Sequence, residues 1–182
     1  YTPQEDRMKK IKQIVTIFAT LALAVTAGLS FAGTKTKAAG SDEFTRTAIE
    51  IAADMGYGWN LGNTMEATNT WTSNPKVTDF ETAWGQPVTT KSMIDGIKKA
   101  GFNSIRIPVS WSNMMSSDGN YTIDASYFKR VDEIISYAFA NDMYVIINDH
   151  YDGGWWEHFC GNKRDCMKHY KNMWTQVAGH YK

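Results

Sequence analysis

Gly101-Phe102-Asn103-Ser104-Ile105-Arg106-Ile107-Pro108-Val109-Ser110-Trp111 is the stretch on which the fold turns. Gly101 closes a helical pattern over residues 89–100, which opens on threonine, and residues 104–107 then read as a strand. Downstream, Tyr127, Val131, Ile134, Ile135 and Ala138 form one apolar stripe, so 126–140 is predicted to be a helix. The continuous apolar run 144–148 follows as a strand and 167–181 as a further helix. Upstream, 57–61 reads as a strand. Before it lies a short amphipathic helix on Phe44, Ala48, Ile51, Ala52 and Met55, stopped by Gly56. Three strands alternating with helices imply right-handed crossovers and a parallel sheet covered on both faces. The fold class is α/β.

In such folds ligands sit beyond the carboxyl ends of the strands, which here means residues 62–88, 108–124 and 149–165. All three connections are long, and long connections in compact domains are usually functional. They also hold most of the seven tryptophans. Aromatic rings in polar, glycine-rich segments suit planar ligands such as sugars, whose C–H faces pack on indoles. With 182 residues and 43% hydrophobic content the chain can bury a core, and its formal net charge of zero without a basic face argues against a nucleic-acid partner. No spacing of His or Cys resembles a zinc site, so neither metal nor cofactor is expected.

The N-terminus divides into a polar leader or upstream-translated stretch (1–7), a secretory signal (8–32) and a linker (33–43), with the folded domain over 44–182. Met8-Lys9-Lys10-Ile11-Lys12 is the basic start of the signal, and Ser30-Phe31-Ala32 offers small residues where a peptidase cuts. The competing reading is an uncleaved membrane anchor, since the uncharged run is long enough to span a bilayer. Cleavage predicts a secreted monomer with no stable membrane association. Cys160 and Cys166 then meet oxidising conditions and either staple a small loop as a disulfide or remain two free thiols.

Four ordered motifs carry a resemblance. They are Gly58-Trp59-Asn60-Leu61-Gly62-Asn63-Thr64-Met65-Glu66-Ala67, Glu81-Thr82-Ala83-Trp84-Gly85-Gln86-Pro87, the 101–111 stretch, and Val145-Ile146-Ile147-Asn148-Asp149-His150. In this order and spacing the chain resembles the first three strands of family 5 glycoside hydrolases of the bacterial endoglucanase kind, over about residues 44–182. The resemblance implies a (β/α)8 TIM barrel in the parent enzyme, of which about the first three βα units stand here. It also implies retaining hydrolysis of internal β-1,4 bonds in cellulose or a related β-glucan, by two glutamates. In the family the acid/base glutamate follows an asparagine, and no Asn-Glu pair occurs in these 182 residues. The chain alone is therefore expected to be inactive. Alternatives are a non-catalytic glycan-binding fragment and a family member acting on mannan, xylan or xyloglucan.

A permanently charged guanidinium at the end of an apolar strand needs an acceptor, which singles out Arg106. The resemblance implies that Arg106 holds the nucleophilic glutamate and that His150 contacts the sugar beside the scissile bond. Both are supporting catalytic residues. Tyr151 stands where many relatives have a second histidine, and Asp149 where an apolar or small residue is more usual. Candidate sugar contacts are Asn63, Glu66, Tyr151, Trp71, Trp155 and Trp156. Asn63 and Glu66 have loop-shaping hydrogen bonds as their alternative role, and the three tryptophans have packing. Asn60 is expected to be buried scaffold, and Trp84 and Trp111 to serve packing. Glu157, Asp149 and Asp152 are not assembled into a catalytic pair, because nothing in their spacing sets the short separation that retaining chemistry needs.

Overall fold

The structure, a computed structural model, describes residues 46–70 and 72–182. The signal, the linker, Phe44 and Trp71 lie outside the described residues. The order of elements is α1 (Ala48–Met55), β1 (Gly58–Asn60), α2 (Val77–Glu81), α3 (Lys91–Lys99), β2 (Ser104–Val109), α4 (Ala125–Phe139), β3 (Tyr144–Asp149) and α5 (Lys163–His180). Two 3-10 segments, Trp111–Met114 and Asp152–His158, stand in the connections after β2 and β3. The sheet is parallel in the order β1-β2-β3, with Asn60 opposite Arg106, Arg106 opposite Ile146 and Val109 opposite Asp149. The α/β class follows directly from this topology.

Strand β2 runs two residues past its sequence expectation and takes in Pro108. Proline has no N–H to give a ladder, but the Leu61 N–H to Arg106 carbonyl bond marks the edge of β2 that faces β1. Pro108 sits two residues further along that edge, beyond the Asn60–Arg106 pair where β1 ends. Its missing donor therefore faces no partner strand.

Helix α4 begins on Asp124, whose side chain accepts from the Ser126 N–H, and it buries Tyr127, Val131, Ile134, Ile135 and Ala138, the stripe read from the sequence. Helix α3 is capped by Thr90 through the Met93 N–H, and Gly101 takes the left-handed conformation (φ 98°) just past its end. Helix α1 is held by a reciprocal Thr47–Glu50 capping box, yet it buries no residue, and Ile49 is 82% exposed. Its expected apolar stripe is at best half covered. Helix α5 starts a turn earlier than expected, because Lys163, Arg164 and Asp165 give its first turn no apolar period to detect.

The core lies between the helices and the outer face of the sheet, where Ile105, Ile107 and Val109 meet Ile94, Val131, Ile134 and Met173. Trp111 is fully buried and meets Tyr127 edge-on at 6.1 Å and 87°, so its packing role is as expected. Trp84 is more exposed and donates through Nε1 to the Thr68 carbonyl at 3.1 Å, pinning the connection after β1 rather than filling the core.

One buried ion pair was not legible. The Glu81 side chain, 0% exposed, accepts from Arg130 Nε (2.9 Å), Arg130 Nη2 (2.8 Å) and the Thr89 N–H (2.7 Å), while Arg130 Nη2 also donates to the Thr89 carbonyl at 2.7 Å. This cluster ties α2 and the entry to α3 onto α4, and so fixes both ends of the second half of the connection after β1.

Candidate active site

Parallel register places Asn60, Arg106 and His150 on the same face of the sheet, away from the helices. Arg106 donates through Nη1 to Asn60 Oδ1 at 2.6 Å and through Nη2 to His150 Nδ1 at 3.0 Å. A guanidinium has no acceptor, so His150 Nδ1 carries the lone pair in this contact. The proton of the neutral ring then sits on Nε2, leaving a donor directed away from Arg106. His150 is anchored by its backbone N–H to the Val109 carbonyl at 3.0 Å. The result is a row of oriented donors at the carboxyl ends of three strands, with further N–H groups of Arg106 beyond the two already engaged.

Asn60 is exposed rather than buried, which corrects its expected place in the scaffold's interior. As the last residue of β1 it projects to the same open face as Arg106, and its amide oxygen satisfies part of the guanidinium.

Glu66, 4% exposed, turns inward. Its Oε1 accepts the Asn63 N–H at 2.6 Å and its Oε2 the Thr64 N–H at 3.0 Å. Of its two expected roles the structure has the loop-shaping one, since both oxygens are spent on backbone. Asn63 itself is exposed in the left-handed conformation (φ 60°), a turn position that asparagine tolerates. Tyr127 Oη donates to the Met65 carbonyl (2.7 Å) and Asn113 Nδ2 to the Ala67 carbonyl (2.8 Å). The connections after β1 and β2 are thereby locked together.

The connection after β3 carries the remaining aromatics. Trp155 stacks on His169 at 4.1 Å and 24° and donates through Nε1 to Asp152 Oδ2 at 2.9 Å, so its ring serves the loop interior. Trp156 and Tyr151 are each 48% exposed, and Trp156 Nε1 donates to the Tyr151 carbonyl at 3.0 Å. With Phe159, these two are the aromatic faces this loop offers to solvent.

Beneath them Asp152 is buried and accepts from the Ser112 N–H (2.8 Å), Ser112 Oγ (2.6 Å) and Trp155 Nε1. Sequence reasoning passed over this network, because Ser112 and His169 carry no motif. His169 reaches Ser112 Oγ at 3.1 Å through Nε2, and burial pushes its pKa below the usual imidazole range. Although Ser, His and Asp meet here, Asp152 binds the serine and not the imidazole, so the arrangement does not orient a general base. Asp149 is pushed up to about 8, first by burial and then by the neighbouring Asp152 carboxylate.

Cys160 and Cys166 are both unpaired. Cys160 is exposed, whereas Cys166 is buried on α5 with its thiol 3.5 Å from the Trp155 carbonyl. Of the two sequence alternatives, the structure has the free thiols. A groove beside β1, lined by Trp59, Asn60, Asn63, Met93, Ile97 and Phe102 among others, contains neither Arg106 nor His150. Among the described residues no group of His, Cys, Asp or Glu has the makings of a metal site. No helix of the described residues is long and apolar enough to cross a membrane.

The fold is a parallel α/β sheet with an Arg–His row at the carboxyl ends of its strands, and comparison with known proteins specifies the class to which it belongs. Residues 65–182 match the model of the cellulase family, glycosyl hydrolase family 5. The chain belongs to that family. It is 43% identical over 166 residues to Endoglucanase A of Paenibacillus barcinonensis, covering 88% of this chain and 40% of that one. It is 45% identical over 138 residues to Endoglucanase A of Clostridium longisporum, covering 75% and 26%. Among solved structures, a broad-specificity endoglucanase from Ruminococcus champanellensis with bound cellotriose superposes with a TM-score of 0.69 at 42% identity, over 75% of this chain and 40% of that one. The chain thus spans well under half the length of these relatives.

Proposed function

We propose that this chain supplies the N-terminal part of a secreted, retaining endo-β-1,4-glucanase, with cellulose or a related β-glucan as substrate. The observation that carries this reading is the Asn60–Arg106–His150 row, whose charge and donors converge on one open face. In this role Arg106 holds a nucleophilic carboxylate ionised and in line, and the His150 Nε2–H donates to a hydroxyl of the sugar beside the scissile bond. Tyr151 and Trp156 provide faces for pyranose rings further along the cleft, and Asn63 stands at its other edge. The acid/base and nucleophilic glutamates that retaining hydrolysis requires lie outside residues 1–182 in this reading. It is supported by relatives named as endoglucanases, and by a solved relative described with cellotriose.

The experiment is a pair of assays for reducing ends released from carboxymethylcellulose, with mannan, xylan and xyloglucan in parallel. The chain by itself should give no turnover. A chimera in which residues 44–182 replace the matching stretch of the Paenibacillus barcinonensis enzyme should be active, and Arg106→Lys in that chimera should lower kcat by roughly 100-fold with little change in KM. A folded, inactive chimera, or a chimera whose activity ignores Arg106→Lys, overturns the reading. Activity on one of the other polymers alone would move the substrate and keep the mechanism.

A further inference from the structure

The last residue of β3 and the residue that follows it point to opposite sides of the sheet. His150 faces the open side with Arg106, whereas Asp149, opposite Val109, faces the buried side beneath the aromatic loop. A carboxyl is out of place there. Its Oδ1 is fully buried and has no hydrogen-bond partner, and the charge beside it is another carboxyl, that of Asp152.

Three donors converge on Asp152, two from Ser112 and one from Trp155, so its oxygens serve as acceptors in this network. The groups facing the pair from the other elements do not offset a second negative charge. From α5 comes His169, held between Tyr121 (4.4 Å) and Trp155 (4.1 Å), with burial disfavouring its cation. From α4 comes the buried Tyr127 phenol, from the segment after β2 the uncharged Ser112, and from β2 the apolar Val109. Among the described residues no ion pair reaches either aspartate.

The loop itself needs holding. Tyr151 (φ 56°) and Asp152 (φ 51°) are consecutive non-glycine residues in the left-handed region, followed by Gly153 and Gly154 at φ 71°. Such backbone is strained at non-glycine residues and persists only where the surroundings over-determine it.

We propose that Asp149 and Asp152 share one proton, Asp149 donating it to Asp152, and that this acid pair is the latch that sets the Tyr151–Trp156 loop on the end of β3. Asp149 is therefore a positioning residue, acting through Asp152 on the aromatic faces and on the exit of the strand that bears His150. Removing the shared proton places two carboxylates side by side in a buried network, and the strained loop loses its tie. The inference concerns how the loop is held and stands whether or not the loop binds a sugar.

The test uses the full chain labelled with [γ-13C]aspartate and 15N-tryptophan, titrated by NMR from pH 5 to 10. Asp149→Asn assigns the Asp149 carbon, and Trp155→Phe assigns the indole that donates to Asp152. The expected result is one aspartate carbon titrating near pH 8, absent in Asp149→Asn, with the Trp155 indole signal moving at the same midpoint. In Asp149→Asn, whose amide is a permanent donor to Asp152, that indole signal should stay at its low-pH position throughout. If every aspartate carbon of the wild-type chain titrates below pH 5, the proposal is overturned without recourse to a variant. An indole signal that moves at the same pH in wild type and Asp149→Asn overturns it equally.

Discussion

Replacing Arg130 by methionine should cost this domain more stability than its position on a helix surface suggests. Arg130 gives two charge-assisted bonds to Glu81 and one bond to the Thr89 carbonyl, and the Glu81 side chain is 0% exposed. Methionine keeps most of the aliphatic volume, so the loss isolates the charge. What remains is a buried carboxylate with the Thr89 N–H as its one donor. Breaking a buried pair from one side costs about 3–5 kcal/mol, because the abandoned charge is desolvated without compensation. That is a large part of the 5–15 kcal/mol typical of a whole domain. The double variant Glu81→Gln, Arg130→Met should recover most of the loss, since a neutral amide oxygen still accepts the Thr89 N–H and no charge is buried. Urea unfolding followed by circular dichroism checks both, with the midpoint moving and the slope constant. A loss under about 1 kcal/mol for Arg130→Met, the range of exposed pairs, would show that Glu81 is solvated and that the reasoning fails.

Three further outcomes follow from the loops. Glu66→Ala frees the Asn63 and Thr64 N–H groups from a buried carboxylate, and should cost roughly 3 kcal/mol in urea unfolding while sharply raising amide exchange in residues 62–68. Ellman's reagent on the native chain should find one fast thiol, Cys160, and one that reacts only on unfolding, Cys166; a chain with no titratable thiol would mean a disulfide. Asp149 keeps in the folded state, up to about pH 8, a proton that the unfolded chain releases near its ordinary value of 3.8. Its contribution to stability is thus full below about pH 4 and lost as pH rises to about 8, so the Tm of wild type should fall relative to Asp149→Asn over that window. Parallel curves for the two proteins would contradict this.

Where the sequence was most legible, one physical signal dominated. The α4 stripe from Tyr127 to Ala138 and the apolar runs of β2 and β3 report burial directly, and the structure buries the stripe residues named for α4. Arg106 and His150 were singled out through motif and through the oddity of charge beside an apolar strand, and the structure brings the two into contact. What escaped was polar and non-local. Glu81 meets Arg130 across 49 residues, and Ser112 meets His169 across 57, and neither pairing leaves a period or a spacing to read. The expectation for Asn60 failed for a related reason: an amide within an apolar run reads as interior, but its side depends on strand parity. Glu66 and Trp155 turned inward because their polar atoms found backbone and Asp152, partners that no local pattern displays.

The same parity explains why one dipeptide can do two jobs. With a side-chain period of two, Asp149 and His150 cannot share a face, and the Val109–Asp149 register decides which is buried. A slip of one residue would put the imidazole under the helices and the carboxyl beside Arg106, where it would neutralise the guanidinium and remove the donor row. The register is held against that slip by the apolar face of β2, by the Ser104–Tyr144 to Val109–Asp149 ladder, and by the His150 N–H bonded to the Val109 carbonyl. Core packing thus settles the chemistry of the open face. Asn60, Arg106 and His150 share the open face because the opposite face of the same strands is filled by the core.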